Sequence, residues 1–146
     1  MPLSIKTRTA SDLASALLLI FFLHSAIGSI AQHQTAVNVL AFYTPVNAPR
    51  HAIAWAISAW QFITAALLFF PVTRRYGLGA SLGYFVALSV LAWLFPGDPA
   101  QFGGLLNHIT RFQTQALALS GIAVSAAGIV LRYFSRIKKQ TEIIAQ

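Results

Sequence analysis

The chain has very little negative charge, because only Asp12, Asp98 and Glu142 are acidic among its 146 residues. None of the three lies within the long apolar segments of the sequence. Proton pumps, cation carriers and glycosidases use carboxylates at membrane depth or in a cleft, so the scarcity of acid argues against these classes. Cysteine is absent, which excludes thiolate catalysis, iron–sulfur ligation and a cysteine-based zinc site.

Four apolar segments make up most of the chain, and they cover residues 13–31, 52–70, 78–95 and 112–134. A helix rises about 1.5 Å per residue, so each segment covers about the 30 Å of a bilayer's hydrocarbon core. The pattern predicts an all-α, polytopic membrane protein. Residues 1–146 are expected to form a single domain, an antiparallel bundle of four transmembrane helices, with no room for a soluble catalytic domain.

The basic residues lie at the ends of these segments and predict the orientation of the chain. Eight of them would lie on one side of the membrane: Lys6, Arg8, Arg74, Arg75, Arg132, Arg136, Lys138 and Lys139. Only Arg50 and Arg111 would lie on the other. The positive-inside rule places both termini in the cytoplasm of a bacterial-type inner membrane. The net charge of +7 is therefore interpreted as a topology signal and an anionic-lipid contact, with no nucleic-acid partner.

The first apolar segment has an alternative interpretation as a cleaved signal peptide, with residues 29–31 as the cleavage site. Cleavage would leave three spans and remove Lys6 and Arg8 from the cytoplasmic group of basic residues, which weakens the charge asymmetry. The uncleaved interpretation is favoured because it keeps the charge asymmetry. Ser11 and Asp12 are then expected to form the N-cap of the first helix.

Small residues recur at four-residue spacing in three pairs: Ser25/Ser29, Gly79/Gly83 and Gly121/Ser125. Such spacing lets helices approach closely in lipid. Packing within the bundle is the favoured interpretation for all three pairs, and a dedicated dimer face is the alternative.

The histidines offer few arrangements for chemistry. His24 falls near the middle of the first span, while the other three are predicted at the outer side: His33, His51 and His108. A bis-histidine haem is disfavoured because no second histidine lies at the depth of His24. We expect His24 to be neutral and hydrogen-bonded to a neighbouring helix, with a quinone or proton-relay contact as the alternative. Because Arg50 and Arg111 lie near the outer histidines and oppose a cation, no metal site is predicted there.

Gln61 in the second span and Gln113 and Gln115 at the start of the fourth are the other notable polar residues. In lipid their amides must find partners, and an interhelical hydrogen bond is the commonest solution. A closed hydrogen bond would make Gln61 structural, whereas an open one would allow it to hold a ligand carbonyl.

Several segments resemble the DoxX-like superfamily of small four-helix membrane proteins, in particular its YkgB-like branch. These are residues 60–62, 70–71, 73–79, 93–96, 103–104 and 111–112. Where that family tends to carry a glutamate in its second helix, this chain has Gln61. Where it tends to carry a Lys-Asp pair near its last helix, this chain has Gln115 and Ala116. The resemblance implies a four-helix bundle with a link to quinone or respiratory chemistry.

These observations favour a non-enzymatic accessory subunit of a larger membrane complex, respiratory or quinone-linked, or a homo-oligomer. No catalytic residue and no cofactor of its own is predicted. The alternative is a small quinone- or lipid-binding oxidoreductase component or carrier. Its ligand contacts would be His51, Gln61, His108 and Arg111, around a quinone or lipid.

Overall fold

The computed structural model describes residues 3–94 and 111–144, and every regular element within these two ranges is an α-helix. The helices are α1 (Leu3–Ala31), α2 (His33–Tyr43), α3 (Arg50–Phe69), α4 (Arg74–Leu94) and α5 (Arg111–Ile144). The predicted all-α class is confirmed.

The four long helices form a ring. Helix α1 packs against α3 and α5, α4 packs against the same two helices, and α1 and α4 lie diagonally opposite with little contact. Asp12 near the start of α1 pairs with Arg74 at the start of α4, and Ser11 contacts Gly128 late in α5. Successive long helices therefore alternate in direction. We call the end that holds Asp12, Arg74 and Gly128 the arginine end. The opposite end, which holds α2 and the start of α3, is the histidine end.

The core lies where the four long helices meet. It consists of Leu18, Phe22, Ala65, Leu68, Leu78, Phe85, Leu88 and Ala118. The Phe22 ring packs edge-on against Tyr84 with centroids 5.2 Å apart, and it lies 5.7 Å from the Phe85 ring. Such aromatic contacts add to the packing that holds helices together in lipid. α1 thus contributes Phe22 to the centre of the bundle.

Two glycines permit close approaches between neighbouring helices. A Cβ on Gly121 of α5 would lie 2.5 Å from ring carbons of Phe85, and one on Gly77 of α4 would lie 2.7 Å from the backbone nitrogen of Leu68. The first glycine makes room for an aromatic ring between α4 and α5. The second lets the α3–α4 hairpin close tightly.

Among the described residues, three helical stretches are long and apolar enough to cross a membrane: Arg8–Ala31, Arg50–Phe69 and Ala116–Ile137. They overlap the predicted spans 13–31, 52–70 and 112–134. The predicted span 78–95 lies on α4, apart from its last residue, which falls outside the described residues. A fourth crossing therefore remains a prediction.

Two helix boundaries bear on the predictions. The expected N-cap at Ser11 and Asp12 is wrong, because α1 already begins at Leu3 and no glycine or proline interrupts residues 3–12. α2 ends at Tyr43, and the capping residue Thr44 has an extended backbone, with φ −126° and ψ 148°. Pro45 follows it, and a residue before proline is restricted to this region.

Candidate functional site

The structure separates the predicted ligand contacts. His51 and Gln61 both lie on α3, ten residues apart, which corresponds to about 15 Å along a helix axis. His108 lies outside the described residues. Arg111 is the first residue of α5, and its side chain is also outside the described part of the chain. The described residues thus show two separate polar clusters, one around Gln61 and one around His51.

Gln61 lies at the centre of a polar network inside the bundle, with only 2% of its surface exposed. Its amide nitrogen donates to the Ser25 hydroxyl at 3.0 Å and to the Tyr84 hydroxyl at 3.0 Å. The Ser29 hydroxyl donates to its amide oxygen at 3.4 Å. Both amide N–H groups are therefore used within the chain. The network connects α1, α3 and α4, so this geometry suits a structural hydrogen bond between helices.

The second cluster lies at the histidine end, where His33 begins α2 and His51 lies in the first turn of α3. His33 Nε2 and His51 Nδ1 are 3.2 Å apart, a hydrogen-bond distance. The Trp55 ring stacks on His33 with centroids 4.7 Å apart. The two imidazoles are therefore joined by one hydrogen bond, with an indole face covering the His33 ring.

The His33 ring carries a buried nitrogen, Nδ1, that has no hydrogen-bond partner among the described residues. If His33 Nε2 donates to His51, then Nδ1 is an acceptor without a donor. If His51 donates instead, the proton of a neutral His33 resides on Nδ1 and lacks an acceptor. A buried polar atom left in this state costs about 1–3 kcal/mol. The sequence analysis placed both histidines at the outer side, but it did not predict that they pair, because they are 18 residues apart.

Arg50 does not join the histidine pair. Its Nε donates to the Thr44 hydroxyl at 3.2 Å, and its Nη2 donates to the Pro45 carbonyl at 3.4 Å. It therefore fastens the α2–α3 connection. Within the described residues, no three histidine, aspartate or glutamate side chains come together in a way that could hold a metal ion.

His24 occupies an unexpected position on the outer face of α1, where its side chain is exposed. Its neighbours on that face are apolar: Ile20, Leu23 and Ile27 are 66%, 43% and 55% exposed. Among the described residues His24 has no hydrogen-bond partner. The expected hydrogen bond to a neighbouring helix is therefore absent from the described part of the bundle.

The small-residue pairs divide into two groups. Ser25 and Ser29 contact Gln61, and Ser125 lies 2.9 Å from the Ser81 hydroxyl across the α4–α5 contact. Packing within the bundle is confirmed for these positions. For Gly79 and Gly83 it is wrong, because a Cβ on either would meet nothing within 4 Å. Both glycines lie on the outer face of α4.

The arginine end holds contacts that connect distant parts of the chain. Arg74 Nη1 lies 2.5 Å from Asp12 Oδ1, and Arg74 Nε donates to the Leu68 carbonyl at 3.1 Å. Arg132 donates to the Pro71 carbonyl at 2.7 Å. These bonds join α1, the α3–α4 turn and α5.

Comparison of the chain with protein-family models, with curated proteins and with solved structures returned no match.

Proposed function

We propose that the chain is a non-enzymatic transmembrane subunit with four spans, which packs against a larger membrane complex or against further copies of itself. The complex would be respiratory or quinone-linked, in a bacterial-type inner membrane. The subunit would contribute helical surface to the assembly, with lipid covering the rest of the bundle.

The observation that carries this proposal is the exposed position of His24. An ionisable side chain at membrane depth is costly in lipid, and such residues nearly always face a bundle interior or a polar partner. In this chain His24 instead lies on an apolar outer face without a described partner. A polar group from another chain would satisfy the imidazole and remove this cost.

The outer face of α4 gives further support. Gly79 and Gly83 leave an open strip on the helix, and Val86 and Val90 continue it with 44% and 49% exposure. Glycines four residues apart allow the backbone of another membrane helix to approach closely. Because α1 and α4 are diagonal in the ring, the bundle offers two contact faces on opposite sides.

The test compares His24→Leu with Leu17→Ala, a control on the same helix at a residue that is 56% exposed and apolar. Each tagged variant is solubilised gently from its native membrane, and the mass and composition of the purified particle are measured. We expect the wild type and Leu17→Ala to retain their partners and His24→Leu to lose them. The thermal stability of the isolated His24→Leu chain should be unchanged or higher. Recovery of the wild type as a functional monomer would contradict the proposal.

The four-span topology and its orientation have a separate test. Reporter fusions after Gln146 and within residues 73–76 should both report a cytoplasmic location, and one within residues 99–107 should report the outside. An outside location for the C-terminus would overturn the orientation drawn from the arginine and lysine positions.

A second candidate function is a quinone- or lipid-binding role at the histidine end. The unpartnered Nδ1 of His33 beside the Trp55 ring favours it, because a polar headgroup could pair with the imidazole and stack on the indole. Extraction of the purified protein should then yield quinone. His51→Ala and Arg111→Ala should lose the quinone, and Gln34→Ala, a control at the same end, should keep it. A wild-type protein that retains neither quinone nor a specific lipid would eliminate this candidate.

A further inference from the structure

A cavity of about 200 Å³ lies at the arginine end between α4 and α5. Its walls are formed by Arg75, Leu78, Ile129, Arg132, Tyr133 and Arg136. Helix α4 supplies the first two, three residues apart. Helix α5 supplies the other four at positions i, i+3, i+4 and i+7, which lie on one face of a helix. The cavity is therefore a feature of the packed helix pair.

Three arginines line this cavity, and most of their N–H groups have no hydrogen-bond partner among the described residues. Arg132 uses one N–H on the Pro71 carbonyl. Arg75 lies over the Tyr76 ring at 4.4 Å and donates to its hydroxyl. Arg136 donates no hydrogen bond within the described part of the chain. Since each guanidinium carries five N–H donors, the three arginines retain most of their donors for a ligand.

Among the described residues, little negative charge compensates the positive charge at this end. Asp12 is the one acidic residue whose side chain the structure describes, and it is paired with Arg74 at 2.5 Å. Arg8, Arg74 and Arg136 all lie close enough to repel Arg132 electrostatically, with Asp12 as the attracting group. Like charges held together beside an apolar phase are unfavourable, and a bound anion would relieve the repulsion.

The chemistry of the walls identifies the anion. Arginine forks suit a phosphate because they bind two of its oxygens at once. The remaining walls are apolar or aromatic, and Leu78 at the base is fully buried. The cavity also lies at the end of a membrane-length stretch, Ala116–Ile137, where phospholipid headgroups are found.

We propose that this cavity binds the headgroup phosphate of an anionic phospholipid. Arg75, Arg132 and Arg136 hold the phosphate, and the glycerol backbone lies against Leu78 and Ile129. The acyl chains run along the outer surface of α4 and α5. The site is independent of the partner contacts proposed at His24 and on the outer face of α4.

The test measures retained lipid by native mass spectrometry of the full chain, released from nanodiscs of phosphatidylcholine with one-fifth phosphatidylglycerol. The main variant is Arg136→Met, which keeps an apolar stem and breaks no described hydrogen bond. Arg75→Met is the second variant. The control is Arg8→Met, which removes the same charge from the same end but lies outside the cavity walls. Helix content of each variant is checked by circular dichroism.

We expect the wild type and Arg8→Met to retain phosphatidylglycerol in preference to phosphatidylcholine. Arg136→Met and Arg75→Met should each bind it about tenfold more weakly, because each loses a charge-assisted contact. Equal weakening by Arg8→Met would overturn the site in favour of diffuse surface charge. Equal retention of the two lipids by the wild type would overturn it as well. Full displacement by millimolar inorganic phosphate would overturn the lipid assignment and identify a site for free phosphate.

Discussion

The interior of the bundle and its outer surface treat polar and small residues in opposite ways. Inside, Gln61 donates both amide N–H groups to other residues of the chain. The Phe85 ring of α4 occupies the space where a side chain at Gly121 would lie. On the surface, His24 has no partner among the described residues, and Gly79 faces empty space. The same residue types thus make contacts between helices in the interior, whereas on the surface they make no such contact within the described part of the chain.

From this difference we expect interior residues to determine the stability of the chain and surface residues to determine its assembly with partners. Polar groups closed inside a membrane bundle contribute to its folding, because an unsatisfied group there has no water to bond. Open polar or small positions on the surface do not stabilise the isolated chain. We therefore expect interior substitutions to change the free energy of unfolding and surface substitutions to change the size of the assembled particle.

The strongest test uses two glycines of α4 that lie only two residues apart. Gly77→Ala should lower the free energy of unfolding by about 3 kcal/mol, since the new Cβ would meet the Leu68 backbone nitrogen at 2.7 Å and backbone atoms yield little to overpacking. Gly79→Ala should leave it unchanged or raise it by up to about 1 kcal/mol, because alanine favours helix. Unfolding of the isolated chains in detergent, followed by circular dichroism, measures both.

Equal stability of the two variants would show that the α3–α4 hairpin relaxes to admit the methyl group. It would contradict the expectation that interior substitutions destabilise the chain more than surface substitutions do. A destabilised Gly79→Ala would indicate that α4 packs against something in the isolated chain on its outer face.

A smaller effect is expected at the polar network. Gln61→Leu should cost about 1–2 kcal/mol, because the buried Tyr84 hydroxyl loses its Gln61 donor and is left with Ser25. Adding Tyr84→Phe removes that hydroxyl. The double variant should therefore be no less stable than Gln61→Leu alone.

The control for this cycle is Tyr84→Phe by itself, measured by the same unfolding experiment. If the two substitutions simply add, the hydroxyl and the amide do not interact energetically. If Gln61→Leu leaves stability intact but removes activity from a parent complex, Gln61 would be a ligand contact and not a structural bond.

The sequence predicted the elements well because membrane helices are defined by long apolar runs. The spans 13–31 and 52–70 coincide closely with parts of α1 and α3, and the interhelical role favoured for Gln61 follows from the scarcity of partners in lipid. Such conclusions depend on composition along one segment. They need no knowledge of which helices are neighbours.

The sequence could not predict relations between segments. Ser11 and Asp12 have the composition of an N-cap, yet they bond Gly128 and Arg74, which are more than 60 residues away. The pairing of His33 with His51 depends on how α2 folds back on α3. Likewise, Gly79/Gly83 and Gly121/Ser125 have similar spacing, and only the rotation of each helix in the ring decides which pair faces inward.

The smallest expected effect lies at the boundary between interior and surface, at the ion pair of Asp12 and Arg74. Asp12 is 46% exposed and Arg74 is 19% exposed, so solvent screens part of their attraction. Asp12→Asn keeps the shape and removes the charge, and we expect it to lower the free energy of unfolding by about 0.5 kcal/mol. In about 1 M salt the difference should shrink, because screening acts within a few ångströms. The control is the same substitution in an Arg74→Met background, where it should cost less, because only the weaker attraction between Asp12 and Arg132 remains to be lost. A cost above about 2 kcal/mol that is insensitive to salt would show that the ion pair behaves as a buried interaction, like the contacts inside the bundle.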